Sequence, residues 1–289
     1  MSAIALYREN NVNLAAEIVR DLHQIPSAPK VLPRLSQLLD DGNSSIYEIV
    51  SLIRLDPGIA ARVLQMANSV FFSKGSRVYS VEEAVARVGY DSVYEVVSYA
   101  VASHVLVRPL VVYGIEADDL WRQAVACAIA AETIASYVGE DRNVAYTVGL
   151  LHSVGMVAIN EWAMQHQPVL VFTNKGLPCE YVESERSLIG FTQAEAGAEL
   201  LEYWDFPATM CSPVRWQYTP HCSVSHVHMS ALLHAAKWVR SMVCSEGAPP
   251  PLPEPCTIQP LRLQPAQLLR IAGEVRLRLL SVRHLLELQ

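Results

Sequence analysis

Charge is scarce in this chain. Asp, Glu, Lys and Arg together make up 18% of the 289 residues, below the quarter usual in soluble domains. A surface so thinly charged points to partial cover by a partner. Net charge is −7 at pH 7 and the pI is about 5.7, which argues against sequence-independent binding of nucleic acid. Strand signals are missing too: no Asn-Gly or Asp-Gly step joins two alternating runs, so hairpins are not expected. There is no Gly-x-x-x-x-Gly-Lys-Ser/Thr loop, no Gly-x-Gly-x-x-Gly and no Gly-x-Ser-x-Gly elbow. These absences speak against P-loop hydrolysis, dinucleotide binding and serine-hydrolase chemistry. No cofactor is expected. The six cysteines form no C-x-x-C pair, and a chain of this length does not need disulfide staples, so they read as reduced, mostly buried thiols. The first twenty residues carry Arg8, Glu9 and Glu17 and lack a signal-peptide core. The uncharged run 143–160 is interrupted by Thr147, Gly149, His152, Ser153 and Gly155, too short in apolar residues for a membrane span. A cytoplasmic protein without membrane contact is the expectation.

What is present is helix. Hydrophobic residues make up 51% and mean hydropathy is +0.20, ample for a core. Apolar residues recur at helical spacing almost throughout, and start signals recur with them: Ser45/Glu48, Ser80/Glu83, Ser92/Glu95 and Thr192/Glu195 read as capping boxes. Asp56-Pro57 is a helix start, as are Leu177-Pro178, Phe206-Pro207 and Ser223. Gly89 and Gly139 read as helix ends. Asp141 starts the helix that carries His152. The proline cluster Pro249-Pro250-Pro251, Pro253, Pro255 should be extended. Beyond it, Leu268, Ala272, Val275, Leu279, Val282 and Leu286 make a stripe on a basic terminal helix. That helix either docks back on the domain or pairs with a second copy; without an aromatic anchor, lipid is not its target. The expected organisation is a helical extension (1–21), a core domain (22–245) with lobes at about 22–109 and 118–245, a Pro-rich linker (246–260) and an amphipathic helix (261–289).

Several stretches resemble one family. Ile53-Arg54-Leu55-Asp56-Pro57, Ala67-Asn68-Ser69, Phe72, Ser80 and Gly89 are similar to the first half of HDOD domains, the "HD-related output domains" of bacterial signalling proteins. Leu120-Trp121-Arg122, Gly149-Leu150-Leu151-His152, Gly155, Glu185, Gly190-Phe191, Glu195, Gly197-Ala198 and Trp204 are similar to the second half. The resemblance spans roughly Leu22 to Val239. It implies an all-α, HD-related multi-helix bundle of bacterial origin and a role in signal output, exercised on protein partners. Asp56, Pro57, Asn68, Ser69, Ser80 and Gly89 match its motifs, and capping or loop locking explains them.

The resemblance also defines a site. A working HD phosphohydrolase holds a divalent metal between imidazoles and carboxylates, which lowers the pKa of bound water and polarises phosphoryl oxygen. Carried over by position, the first histidine falls on Gln123, the His-Asp pair on His152-Ser153, a later histidine on Gln193, and a His-His pair on Trp216-Gln217. The last aspartate would fall in the 227–235 helix, where His228 and Ala231 stand. The carboxylates are gone, and Gln and Ser are weak neutral ligands. Neither catalysis nor metal binding is expected of Gln123, His152, Ser153, Gln193 and Gln217. His152 reads as a core histidine bonded to Ser153, Gln123 or a backbone carbonyl. A second reading keeps the pocket as that of a degenerate phosphohydrolase or a cyclic-dinucleotide sensor. The dense set His221, Cys222, His226, His228 and His234 reads as ordinary surface and core residues, since His226 and His228 face different sides of a helix.

Overall fold

The computed structural model describes residues 15–16, 18, 34–35, 37–38, 45–54, 57–69, 72, 77–177, 180–245 and 248–286. Asp56 and Cys179 lie outside them. The described residues fall into two compact units, one within Ser27–His104 and the other within Met1–Pro26 and Val105–Gln289. Both are all-α. Among the described residues the only bridge of β type is an isolated one between Leu110 and Ile115.

The smaller unit holds α1 (Ile46–Arg54), α2 (Pro57–Ala67), α3 (Val81–Val88) and most of α4 (Tyr90–Leu106). Ile49, Val50 and Ile53 of α1 and Val81, Ala84, Val85 and Val88 of α3 are buried, as their spacing requires. Ser80 caps α3 by accepting from the Glu83 amide, and Gly89 ends it at φ 86°. Asn68 locks the loop between α2 and α3. Its Nδ2 donates to the carbonyls of Leu64 and Val78 (2.9 and 2.8 Å), and its Oδ1 accepts from the Val78 amide (2.8 Å). Ser69 Oγ beside it is buried without a hydrogen-bond partner. Ser92 is not a cap: α4 already begins at Tyr90, because Gly89 both ends α3 and lets the next helix start at once.

The larger unit carries the rest. Its centre is α5 (Ala117–Val138), flanked by α6 (Arg142–Leu151) and α11 (Val227–Cys244); α7 (Val154–His166) packs on α9 (Gln193–Tyr203), and α10 (Ala208–Arg215) on α9 and α11. Small residues make the central contacts possible. A Cβ on Gly149 would lie 2.7 Å from the Cys127 carbonyl of α5, and one on Gly155 would lie 1.9 Å from the Gln193 carbonyl of α9. Capping follows the sequence: Asp141 accepts from the Val144 amide, Thr192 and Glu195 form a full capping box, and Gly139 ends α5 in the left-handed region.

Other starts differ. The helix expected from Leu177-Pro178 is α8 (Val182–Ile189), and it begins later because Glu180 stands at φ 43°. α11 begins at Val227, not Ser223. Within the proline-rich linker, α12 (Pro255–Ile258) and a 3-10 turn at Gln259–Leu261 replace extended chain; Pro255 sits where a missing amide costs nothing. The terminal helix α13 (Pro265–Leu286) docks in cis on α5 and α11. It buries Leu268, Ile271, Ala272 and Val275, and Arg278 pairs with Glu132 of α5. Among the described cysteines, all free, Cys127 and Cys211 are buried, Cys222 and Cys244 half-buried and Cys256 exposed, so fewer thiols are buried than composition suggested. Among the described residues no helix is long and apolar enough to cross a membrane.

Candidate functional site

The helical path breaks at His152-Ser153, between α6 and α7. The break faces a cavity of about 60 Å³ within the larger unit. Ile115, Leu120 and Met156 form its apolar wall; Gln123, His152, Ser153, Gln193, Glu180 and Arg240 form its polar one, and Asn174 and Tyr181 complete it. Four of the five pocket positions read from the sequence therefore meet here. Gln217 stands one step back. Its Nε2 donates to the carbonyls of His152 and Val214 (both 3.0 Å), and its Oε1 accepts from Lys237 Nζ (2.9 Å).

His152 is 2% exposed. Its Nδ1–H donates to the Gly149 carbonyl (2.7 Å), one turn back in its own helix, which leaves Nε2 as an acceptor. Burial, reinforced by Arg240 and Lys237, pulls its pKa down to about 3, so the ring is neutral. Of the three partners expected for the ring, the backbone carbonyl is the one it bonds, and not Ser153 or Gln123. Instead Nε2 accepts from Arg240 Nη1 (3.2 Å), while Nη2 of the same guanidinium pairs with Glu180 Oε1. Arg240 thus holds the nitrogen that would otherwise ligate a metal.

Arg240, Glu180, Lys237 and Tyr218, all missed by sequence reasoning, complete the cluster. Glu180 accepts from Arg240 on one oxygen and from Lys237 Nζ (2.8 Å) and Tyr218 Oη (2.9 Å) on the other. Burial opposes its charge, yet Arg240 and Lys237 hold its pKa well below the usual carboxylate value. Lys237 is also buried, with Nζ 3.4 Å from the Tyr218 ring centroid, an arrangement that favours its charge. Burial still lowers its pKa to about 8, against the pull of Glu180. Tyr218 Oη in turn accepts from Gln193 Nε2 (2.7 Å). Behind this layer Glu185, fully buried, accepts from Tyr113 Oη (2.9 Å) and the Gln193 amide (2.9 Å). Burial lifts its pKa to about 7 in spite of both bonds.

His228 is not part of the site. It lies exposed 3.7 Å from Glu140, while the inward face of α11 is set more than two turns further on by Lys237 and Arg240. Nor do the clustered histidines form a centre: His234 is tied to the Gln217 carbonyl (2.9 Å) and His226 to Ser225 (3.0 Å). Among the described residues no group of His, Cys, Asp and Glu is arranged to hold a metal ion.

A divalent ion does not fit the residues around His152. It would have to displace a guanidinium from Nε2, and the single carboxylate on the cavity, Glu180, already has both oxygens engaged. The remaining side chains are neutral amides and a hydroxyl, too weak to offset two positive charges.

The class that fold and site define is an all-α bundle with a buried histidine at the break between two of its helices. Comparison with known sequences makes this specific. The HDOD domain family matches residues 25–220, and the chain belongs to that family. A Treponema pallidum (strain Nichols) protein described only as uncharacterized is 27% identical over 213 residues, 72% of this chain. The matched part spans 40% of that relative's length. Two solved structures share the fold. One, from Marinobacter aquaeolei VT8, is named as a candidate signal transduction protein: 22% identity, TM-score 0.71, covering 96% of this chain and 65% of that one. The other, from Shewanella amazonensis SB2B, is named as a candidate phosphohydrolase: 22% identity, TM-score 0.63, covering 93% and 94%.

Proposed function

We propose that this chain is a bacterial signal-transduction or regulatory protein that acts without catalysis, by presenting helical surfaces to a protein partner. The observation that carries the reading is Arg240. It engages both His152 Nε2 and Glu180, so the two groups best suited to a metal are bound to each other through a fixed cation. The family supports the signalling role, as does the name of the Marinobacter relative. The name of the Shewanella relative points towards hydrolysis, but that chemistry needs carboxylates that positions 153 and 227–235 of this chain do not supply.

The test compares wild type with His152→Ala in phosphomonoesterase and phosphodiesterase assays supplied with Mg²⁺, Mn²⁺ or Fe²⁺. Both proteins are expected at the blank rate. Turnover by wild type that His152→Ala abolishes overturns the proposal. Its second arm isolates partners with the intact chain and with His152→Ala. Capture of the same protein by both, reproduced with purified components, is the expected result.

A further inference from the structure

We propose that the cavity beside His152 binds a small protonated oxyanion, of which hydrogen phosphate is the representative, through Arg240, Ser153 and Gln193. The inference goes beyond the signalling role and does not depend on it. It starts from a charge count. Arg240 and Lys237 are both buried, and one carboxylate, Glu180, answers the two of them. The next carboxyl, Glu185, does not line the cavity and is held by Tyr113 and the Gln193 amide. A buried cluster with an excess positive charge favours an anion in the adjoining space.

The polar lining is also incomplete in a way that matches such a ligand. Ser153 precedes the first residue of α7, a helix of 13 residues, and its side chain makes no capping bond. Its Oγ is buried without a partner, in a residue only 4% exposed. A hydroxyl at a helix N-terminus can donate to an anion that the helix dipole also favours. Gln193 is 1% exposed; its Nε2 is spent on Tyr218, and its Oε1 has no partner. That oxygen accepts only. The ligand must therefore present one proton donor as well as anionic oxygens, as a phosphate with a P–OH group does and sulfate at neutral pH does not. Size agrees. The cavity of about 60 Å³ is several times the roughly 10–15 Å³ that a single water needs and well short of the roughly 300 Å³ at which small-molecule pockets begin, which suits a tetrahedral oxyanion rather than a nucleoside. Exposed Asn174 and half-buried Gln123 line it on the solvent side.

The test follows the thermal midpoint and calorimetric binding of the full chain with inorganic phosphate, sulfate and chloride at pH 7 and matched ionic strength. Phosphate is expected to bind saturably and at least about tenfold more tightly than sulfate, the worth of one hydrogen bond to a charged partner. Ser153→Ala is the decisive variant. It is expected to be as stable as wild type or more so without phosphate, since it removes an unpartnered buried hydroxyl, and to bind phosphate about tenfold more weakly. Equal midpoint shifts from phosphate and sulfate overturn the proposal, as does a wild-type phosphate response from Ser153→Ala. A crystal grown with phosphate in which the cavity holds ordered waters only does so as well.

Discussion

Arg240 performs two tasks at one atom's remove from each other: it gives His152 Nε2 a donor and Glu180 a counter-charge. Removing it by Arg240→Met leaves a buried carboxylate answered by Lys237 alone. Chemical denaturation should then show a loss of about 3 kcal/mol, the low end for breaking a buried pair. Two other buried groups give opposite pH signatures. The pKa of His152 is lowered on folding from 6.5 to about 3. Its contribution to stability is therefore full above pH 6.5 and is lost as pH falls towards 3. The pKa of Glu185 is raised from 4.5 to about 7, so its contribution is full below pH 4.5 and is lost as pH rises through 7. Glu185→Gln removes the second effect. Relative to wild type it should gain stability between pH 5 and pH 8, read from urea denaturation at both. At this scale the sequence showed half the site. His152, Ser153, Gln123 and Gln193 could be found because the family resemblance carries its ligand positions onto them. Glu180 could not, since it lies on a non-helical segment without periodicity and meets Arg240 across sixty residues of chain. Lys237 and Arg240 carry no sequence signal of their own, and only tertiary packing buries them.

Helices α7 and α9 touch through backbone where Gly155 passes the Gln193 carbonyl, and this contact sets Ser153 beside Gln193. Gly155→Ala should destabilise by roughly 3 kcal/mol, because the obstructing atom is main chain and cannot swing away; a lowered thermal midpoint would record it. The terminal helix offers a paired comparison. Leu268 is fully buried and Leu277 is 70% exposed. Leu268→Ala should cost about 3 kcal/mol and Leu277→Ala less than about 0.5, both read from denaturation midpoints. An equal loss at both would mean that the exposed face is also covered in solution. Elements with strong local signals were legible: the Thr192 box, the Asp141 cap and the Gly139 stop all form as their residues dictate. The start of α8 was misjudged because a proline marks where a helix is permitted, not where it begins. Glu180, in the left-handed region, delays it.

At the scale of the molecule, composition and pattern were enough for the all-α class, because helical periodicity repeats from one end of the chain to the other while strand signals do not. They were not enough for the cis docking of α13, whose apolar stripe suits a partner chain as well as its own domain. The site's charge balance has a further effect on the whole protein. A metalloprotein of this architecture would lose its centre to a chelator. This one should keep an unchanged thermal midpoint and an unchanged circular dichroism spectrum after exhaustive EDTA treatment, and a fall of more than about 2 °C would contradict that. The cation at the site is made on the ribosome and arrives with the polypeptide, so under the proposed function the fold should wait for no ion to be delivered and iron or manganese starvation in the cell should leave it armed.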